Sequence, residues 1–306
     1  MPISLHIVVS CWAMMVLVVG LLEHDSGKTS VTSSLVAEAR SRGIDAVGVK
    51  PVGGHSAWNQ YETLERSIEL GLLVGEDAYK LWRVSGAEEP IEVLSPLDML
   101  TAPPDPESVG GPSGFLMVPD NILELAVLLR ISRVERGGVV TKHYAVKRNL
   151  RRLSSKLRSR VEVLARKVGA EPVSRSELLE LAVGAADAVD SALRYVARKH
   201  KLVIVESFNN AACPSPLCLQ ADKVILVAPG RAYVYDGRSY ARAVRALASV
   251  KGLNVTTPEV VGKLKPLVSV ELFPRTRETL DRPAADTERL LSIILGKALG
   301  VRTATT

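Results

Sequence analysis

The stretch VLVVGLLEHDSGKTSVTSSLV, Val16 to Val36, decides the fold. Val16, Leu17, Val18 and Val19, closed by Gly20, are apolar and mostly β-branched, which predicts a strand buried on both faces. The loop after it ends in Ser26-Gly27-Lys28-Thr29, and Ser30 to Arg42 reads as a helix. Strand, loop closing on GKT, then helix is the setting of a phosphate-binding loop. Backbone N–H groups of such a loop and of the first helical turn point inward and, with the helix dipole, attract phosphate oxygens. In that setting Lys28 reaches the β- and γ-phosphates of a nucleotide such as ATP, and the Thr29 hydroxyl sits on Mg²⁺. Gly20, Asp25, Ser26, Gly27, Lys28, Thr29 and Ser30 are accordingly the expected nucleotide-binding residues. One feature departs from the common spacing: the position five residues before Gly27 is Leu22, and the nearest glycine is Gly20. The loop is therefore expected to be longer or differently wound, with His24 and Asp25 along its outer edge, facing a ligand or solvent.

Working outward, Ile44 to Val49 reads as a second buried strand and Lys50-Pro51-Val52-Gly53-Gly54-His55-Ser56 as the loop after it. Ligands of open parallel sheets bind beyond the carboxyl ends of strands, which places Lys50 well for an anion. Pro51 biases Lys50 to an extended conformation, and Gly53 and Gly54 permit close backbone approach. Tyr61 to Leu73 and Glu76 to Val84 read as helices, with Asp77 in the first turn of the second, where the dipole favours an acid. Glu88 to Pro119 is proline-rich and reads as irregular; Asn121 to Glu135 reads as a helix and Val139 to Thr141 as a short strand. Residues 142–168 are strongly basic, and Leu150, Leu153, Leu157, Val161 and Leu164 recur at three- to four-residue steps, the pattern of an amphipathic helix with a cationic face. Ser174, with Glu177 three residues on, caps a further helix reaching Lys199. Lys201 to Glu206 is an apolar strand ending in an acid, the form of an element that delivers a carboxylate towards Mg²⁺. Ala221 to Ala228 and Pro266 to Leu272 read as strands, Tyr240 to Val250 and Asp286 to Leu299 as helices. Strands alternating with helices predict an α/β chain with a parallel sheet.

Composition bounds these readings. The 306 residues are 47% hydrophobic, enough for a substantial core, and the net charge of +6 suits anionic small molecules without demanding nucleic acid. The two glutamines, Gln60 and Gln220, are few for this length, a bias that thermophiles share. Three cysteines (Cys11, Cys213, Cys218) do not make a secreted disulfide scaffold, and no second Cys or His pair completes a zinc set. The first 22 residues carry no formally charged side chain, but Val16–Gly20 belongs to the strand and Ser4, His6 and Ser10 interrupt the rest. We therefore expect a cytoplasmic chain without a membrane anchor, residues 1–14 being a leader or the product of a misassigned start, with Met14 or Met15 the true one.

Four stretches in order resemble the dethiobiotin synthetase branch of P-loop NTPases, which includes the ATP domains of cobyrinate amidases: GLLEHDSGKTS, VGVKPVGG, GEDAYKLWRVSG and LVIVESFNN. The resemblance implies a P-loop NTPase three-layer α/β sandwich with a mostly parallel sheet spanning residues 15–285, a basic helical insertion at 142–199, and a C-terminal helix and tail at 286–306. Carried over, Thr29, Asp77 and Glu206 would hold Mg²⁺, and Lys28 and Lys50 would bracket the transferred phosphate as the catalytic pair. Two features depart from the branch. Its glycine-rich loop after the strand-end glutamate is here Ser207-Phe208-Asn209-Asn210, so the substrate is expected to differ. Position 23, where MinD-like switch ATPases carry a second lysine, is Glu23.

The expected activity is Mg-dependent ATP use to phosphorylate or activate a small acidic molecule, a carboxylate or carbamate, with a homodimer left open. The alternative is a regulatory or assembly ATPase that switches a partner-binding surface, the basic stretch being the candidate. Nucleic acid is the less favoured partner for that stretch, since Tyr144 is its lone aromatic and charge runs are commonly solvated faces.

Overall fold

The computed structural model describes residues 13–252, 254–275, 279, 282 and 284–296. In chain order it runs β1 (Met14–Gly20), α1 (Lys28–Ser41), β2 (Ala46–Val49), β3 (Val52–Ser56), α2 (Tyr61–Leu70), α3 (Glu76–Val84), β4 (Leu97–Thr101), β5 (Ala126–Glu135) and β6 (Gly138–Val146). There follow α4 (Ser155–Lys167), β7 (Glu171–Val173), α5 (Arg175–Gly184), α6 (Ala186–Lys199), β8 (Leu202–Glu206), β9 (Lys223–Ala228), β10 (Arg231–Asp236), α7 (Gly237–Lys251), β11 (Val268–Glu271) and α8 (Ala285–Leu295). Single helical turns join several of these.

The strands form two mixed sheets. The first has the order β11-β10-β9-β1-β8-β2, in which β9, β1, β8 and β2 are parallel and β10 and β11 extend the edge antiparallel. β1 lies inside it because its side chains are apolar on both faces. Val16 and Val18 pack with Val31, Leu35 and Val36 of α1 and with Leu290 and Ile294 of α8. Leu17 and Val19 point the other way, into a core shared with Val189, Leu193 and Val196 of α6. Helix, sheet, helix is a three-layer α/β arrangement, and burial of these large side chains at about 1.5–3 kcal/mol each holds it. The register sets Val18 beside Glu206 and Gly20 beside Val227, so the loop after Gly20 emerges next to the end of β8.

The second sheet, β3-β4-β5-β6-β7, has parallel pairs at its two ends and antiparallel pairs between. Met99, Leu129 and Ile131 join α6 in the core shared with the first sheet. Leu100, Val127 and Leu128 pack instead with Leu64 of α2 and with Leu157, Val161 and Leu164 of α4. α6 thus stands between the two sheets. The chain crosses from one sheet to the other through two residues, Lys50 and Pro51, which separate β2 from β3.

This second sheet corrects the sequence reading in several places. Asn121–Glu135, expected as a helix, is one turn (Ile122–Leu125) followed by the ten-residue β5. Its apolar run is ambiguous between helix and strand, and pairing with β4 and, through the turn Arg136-Gly137, with β6 decides for the strand. The basic stretch is not one helix: residues 142–146 finish β6, Lys147–Arg151 is a single turn, and α4 begins at Ser155. Residues 142–199, expected as a helical insertion, contribute β7 and the end of β6, so they complete the second sheet. The proline-rich stretch, expected as irregular, holds β4, whose Leu97–Leu100 are wholly buried, prolines flanking the strand at 96, 103 and 104. The expected loop after Pro51 is β3, where the absence of a Cβ at Gly53 leaves room for Asp98, whose Oδ1 would stand 2.9 Å from one. β10, unanticipated, turns back from β9 after Pro229-Gly230. The helix reaching Lys199 is broken at Ala185 into α5 and α6, and its capping box at Ser174 and Glu177 is present. The proposed leader or misassigned start, apart from Ala13 and Met14, and the tail after Gly296 lie outside the described residues. Among the described residues no helix is long and apolar enough to cross a membrane.

Part of the cationic face of 142–175 is engaged within the chain: Arg160 pairs with Glu65, and Arg152 and Arg175 with Glu124. Leu164→Ala should therefore cost about 2–5 kcal/mol in a urea titration, whereas Lys156→Ala on the exposed face should change stability by less than about 0.5 kcal/mol. Equal effects would contradict the packing of α4.

Candidate functional site

The loop from Leu21 to Gly27 closes on itself through Ser26. Its hydroxyl accepts from Leu22 N (3.0 Å) and donates to Leu22 O (2.9 Å), and Asp25 (φ 55°) and Gly27 (φ 85°) turn the backbone through the left-handed region. A side-chain staple thus closes the loop at Leu22, where the usual glycine is missing. Gly20 is needed for another reason: a Cβ there would stand 2.7 Å from Lys28 Nζ and 2.8 Å from Ser26 Oγ. α1 starts at Lys28, and no acidic residue occupies its first turn, so the positive end of the helix dipole and the Lys28 ammonium face the same space. Ser26 and Lys28 are buried, Thr29 and Ser30 half-buried, while Glu23, His24 and Asp25 are exposed on the rim.

Lys50 extends from the end of β2 and is 6% exposed. Its ammonium donates to Glu206 Oε1 (2.7 Å), to Asp77 Oδ2 (3.2 Å) and to Ser207 O (3.3 Å). Thr29 Oγ1 donates to the same Glu206 Oε1 at 2.8 Å. Glu206 is fully buried, and its Oε2 has no hydrogen-bond partner among the described residues. Lys28, Thr29, Lys50, Asp77 and Glu206, chosen from four separate stretches of sequence, therefore meet at the carboxyl ends of β1, β2 and β8. Burial and the neighbouring Lys50 hold the Lys28 ammonium below the usual lysine range. Burial also acts against the charge of Lys50, but Glu206 and Asp77 outweigh it and raise its pKa. Burial and Asp77 push the Glu206 carboxyl up, against Lys50; Asp77, despite desolvation, is held down by Lys50.

Among the described residues no group of three or more His, Cys, Asp or Glu could hold a metal ion. The donors that do converge, two carboxylates and a hydroxyl, are hard oxygens that suit Mg²⁺ with phosphate and water completing its shell. The orphaned Glu206 Oε2 gives such an ion an acceptor that no described residue uses.

Behind Asp77 lies a buried polar cluster that the sequence reading did not identify. Asp98, fully buried on β4, accepts from Gly75 N (2.7 Å), the residue capping α3. Arg130, fully buried on β5, donates from Nε to Leu73 O (2.7 Å) and from Nη1 to Ser132 Oγ (2.9 Å), with its Nη2 4.0 Å from Asp98. His143 Nε2 accepts from Leu73 N (3.3 Å), and Ser67 Oγ accepts from Val74 N (3.0 Å). Four side chains thus fix the backbone of Leu73-Val74-Gly75, and with it the start of the helix that carries Asp77. His55 completes the cluster: Thr63 gives its hydroxyl proton to Gln60 O, so His55 Nδ1 donates to Thr63, and Nε2 is left 3.8 Å from Asp98 Oδ1. The sequence signal was a lone arginine inside the apolar run AVLLRIS and a lone aspartate inside PLDML.

Asp98→Ala leaves the Arg130 charge without its neighbouring carboxylate and Gly75 N without its acceptor, and should cost about 3–5 kcal/mol in denaturant unfolding, whereas Asp98→Asn, which keeps an acceptor for Gly75, should cost less. His143 must be neutral at Nε2 to accept from Leu73, and burial, with Arg130 nearby, lowers its pKa from 6.5 to about 4. A histidine that resists protonation in the folded state stabilises fully above about pH 6.5, and that stability is lost as the pH falls from there to about 4. Relative to a His143→Gln variant, the wild type should lose up to about 3 kcal/mol between pH 7 and pH 4; parallel stability curves would remove His143 from the clamp.

No family model matches the chain, and no curated protein matches it.

Proposed function

We propose that the chain is a P-loop NTPase that binds ATP with Mg²⁺ and uses it to phosphorylate or activate a small acidic substrate, a carboxylate or carbamate. The observation that carries this reading is the meeting of Lys28, Thr29, Lys50, Asp77 and Glu206 beside the dipole-positive start of α1. Two cations and a helix N-terminus aimed at one space suit a polyanion. Two carboxylates and a hydroxyl beside them suit the metal that accompanies a nucleotide.

The roles follow from position. Lys28 and the backbone N–H groups at the start of α1 would hold the β- and γ-phosphates. Thr29, Asp77 and Glu206 would hold Mg²⁺, whose chemistry when bound is to neutralise phosphate charge. Lys50, held beside Glu206 and Asp77, would offer its ammonium to the charge that develops as the phosphoryl group leaves, or to the carboxylate that receives it. Catalysis of this kind is positioning and charge neutralisation, with no side-chain nucleophile. The loop from Ser207 to Ala212 flanks the same space; Ser207 Oγ donates to Ala211 O (2.7 Å), and Asn209 adopts a left-handed conformation (φ 42°). It is the candidate for contact with the second substrate.

Calorimetric titration with ATP and GTP, with and without Mg²⁺, tests the reading. Lys28→Ala should weaken Mg-ATP binding by about 1.5–3 kcal/mol, roughly 10- to 150-fold. Unchanged affinity in the variant, or no nucleotide binding by the wild type, would overturn it. Steady phosphate release without a second substrate would instead favour a regulatory ATPase.

A further inference from the structure

We infer that in the nucleotide-free protein Lys50 occupies the seat of the divalent metal, so that the ion enters only together with nucleotide phosphates. The inference rests on the nucleotide reading above and goes beyond it, to the order in which the ligands arrive.

Three observations carry it. Lys50 makes its close contacts with the very groups that would ligate a metal. Its ammonium touches both carboxylates, and the hydroxyl of Thr29 shares Glu206 Oε1 with it. Lys50 is also buried, so its charge is balanced inside the protein and not by water. Finally, Glu206 Oε2 is fully buried and has no hydrogen-bond partner among the described residues, an acceptor left over once the lysine has taken Oε1 and Asp77.

Charge counting gives the consequence. Glu206 and Asp77 supply two negative charges, and Lys28 and Lys50 two positive ones, so the empty site is neutral. A divalent ion seated among the same oxygens would add two positive charges beside two lysines, at distances where like charges in a poorly solvated space repel strongly. A nucleotide alters the balance. Its phosphates give both ammonium groups a new partner, Lys50 leaves the carboxylates, and the vacated oxygens take the metal. Metal and nucleotide therefore favour each other reciprocally, as any two coupled ligands must.

The experiment measures Mn²⁺ binding to the full chain without nucleotide, by calorimetry and by the loss of the free-ion electron paramagnetic signal, alongside melting with and without Mn²⁺. The wild type should bind Mn²⁺ weakly and melt at nearly the same temperature with the ion as without it. Lys50→Met, of similar length and uncharged, should bind Mn²⁺ at least tenfold more tightly and gain melting temperature from the ion. Glu206→Gln in the Lys50→Met background should remove that gain. Tight Mn²⁺ binding by nucleotide-free wild type would overturn the inference, and this arm needs no variant to fold. A Lys50→Met protein that binds Mn²⁺ no better than wild type would overturn it as well; should that variant not fold, Lys50→Gln is read in the same way. Wild-type binding of Mg-ATP together with either of those results leaves the nucleotide reading standing and removes only the inference. Absence of Mg-ATP binding removes the reading itself.

Discussion

The ion pair between Lys50 and Glu206, 2.7 Å apart and almost wholly out of water, is the constraint on which the rest of the structure depends. A buried pair is costly to desolvate and does not by itself stabilise a fold. It persists here because every donor of the ammonium has an acceptor and because Asp77 and Thr29 add contacts on both sides. Placing those groups requires β1, β2 and β8 side by side in parallel, with helices on both faces. The apolar strands at Val16–Val19 and Leu202–Val205 supply the hydrophobic energy that makes so polar a centre affordable.

The second sheet serves the same centre from a distance. Asp77 lies in the first turn of α3, and helix ends fray unless their backbone groups are satisfied. Asp98, Arg130, His143 and Ser67 satisfy them from three strands of the second sheet and from α2. Such a cluster gains its strength from low dielectric surroundings and loses it if one member fails. The centre is thus built from two layers of polar residues: one around Lys50 and Glu206, the other sealed behind it and fixing the geometry of the first.

How far this could be read in the sequence follows from the range of each signal. Lys28 and Thr29 follow from a local motif, strand to loop to helix; Lys50 and Glu206 follow from the rule that residues at the carboxyl ends of parallel strands converge; Asp77 came through family resemblance. These were legible because each depends on its own element. The second sheet was not, because its strands are defined by each other. AVLLRISRVE is an apolar run with no period to separate helix from strand, and only the partner at Gly138–Val146 decides. That partner is itself disguised as the start of a basic helix, since β6 is half exposed and carries Lys142 on its open side. The buried cluster of Asp98, Arg130 and His143 was hidden for the same reason: its members are distant in sequence and become neighbours only once those strands pair.

The passage between the sheets has a mechanical side. β2 ends at Val49 and β3 begins at Val52, so the peptide that leaves one sheet enters the other within a span of Lys50 and Pro51, with Lys50 N tied to Leu94 O at 2.8 Å. Proline allows no rotation about φ there, and the corner is stiff. The corner therefore holds the Lys50 ammonium, and with it the pair to Glu206, at the seam where the chain passes from one sheet to the other.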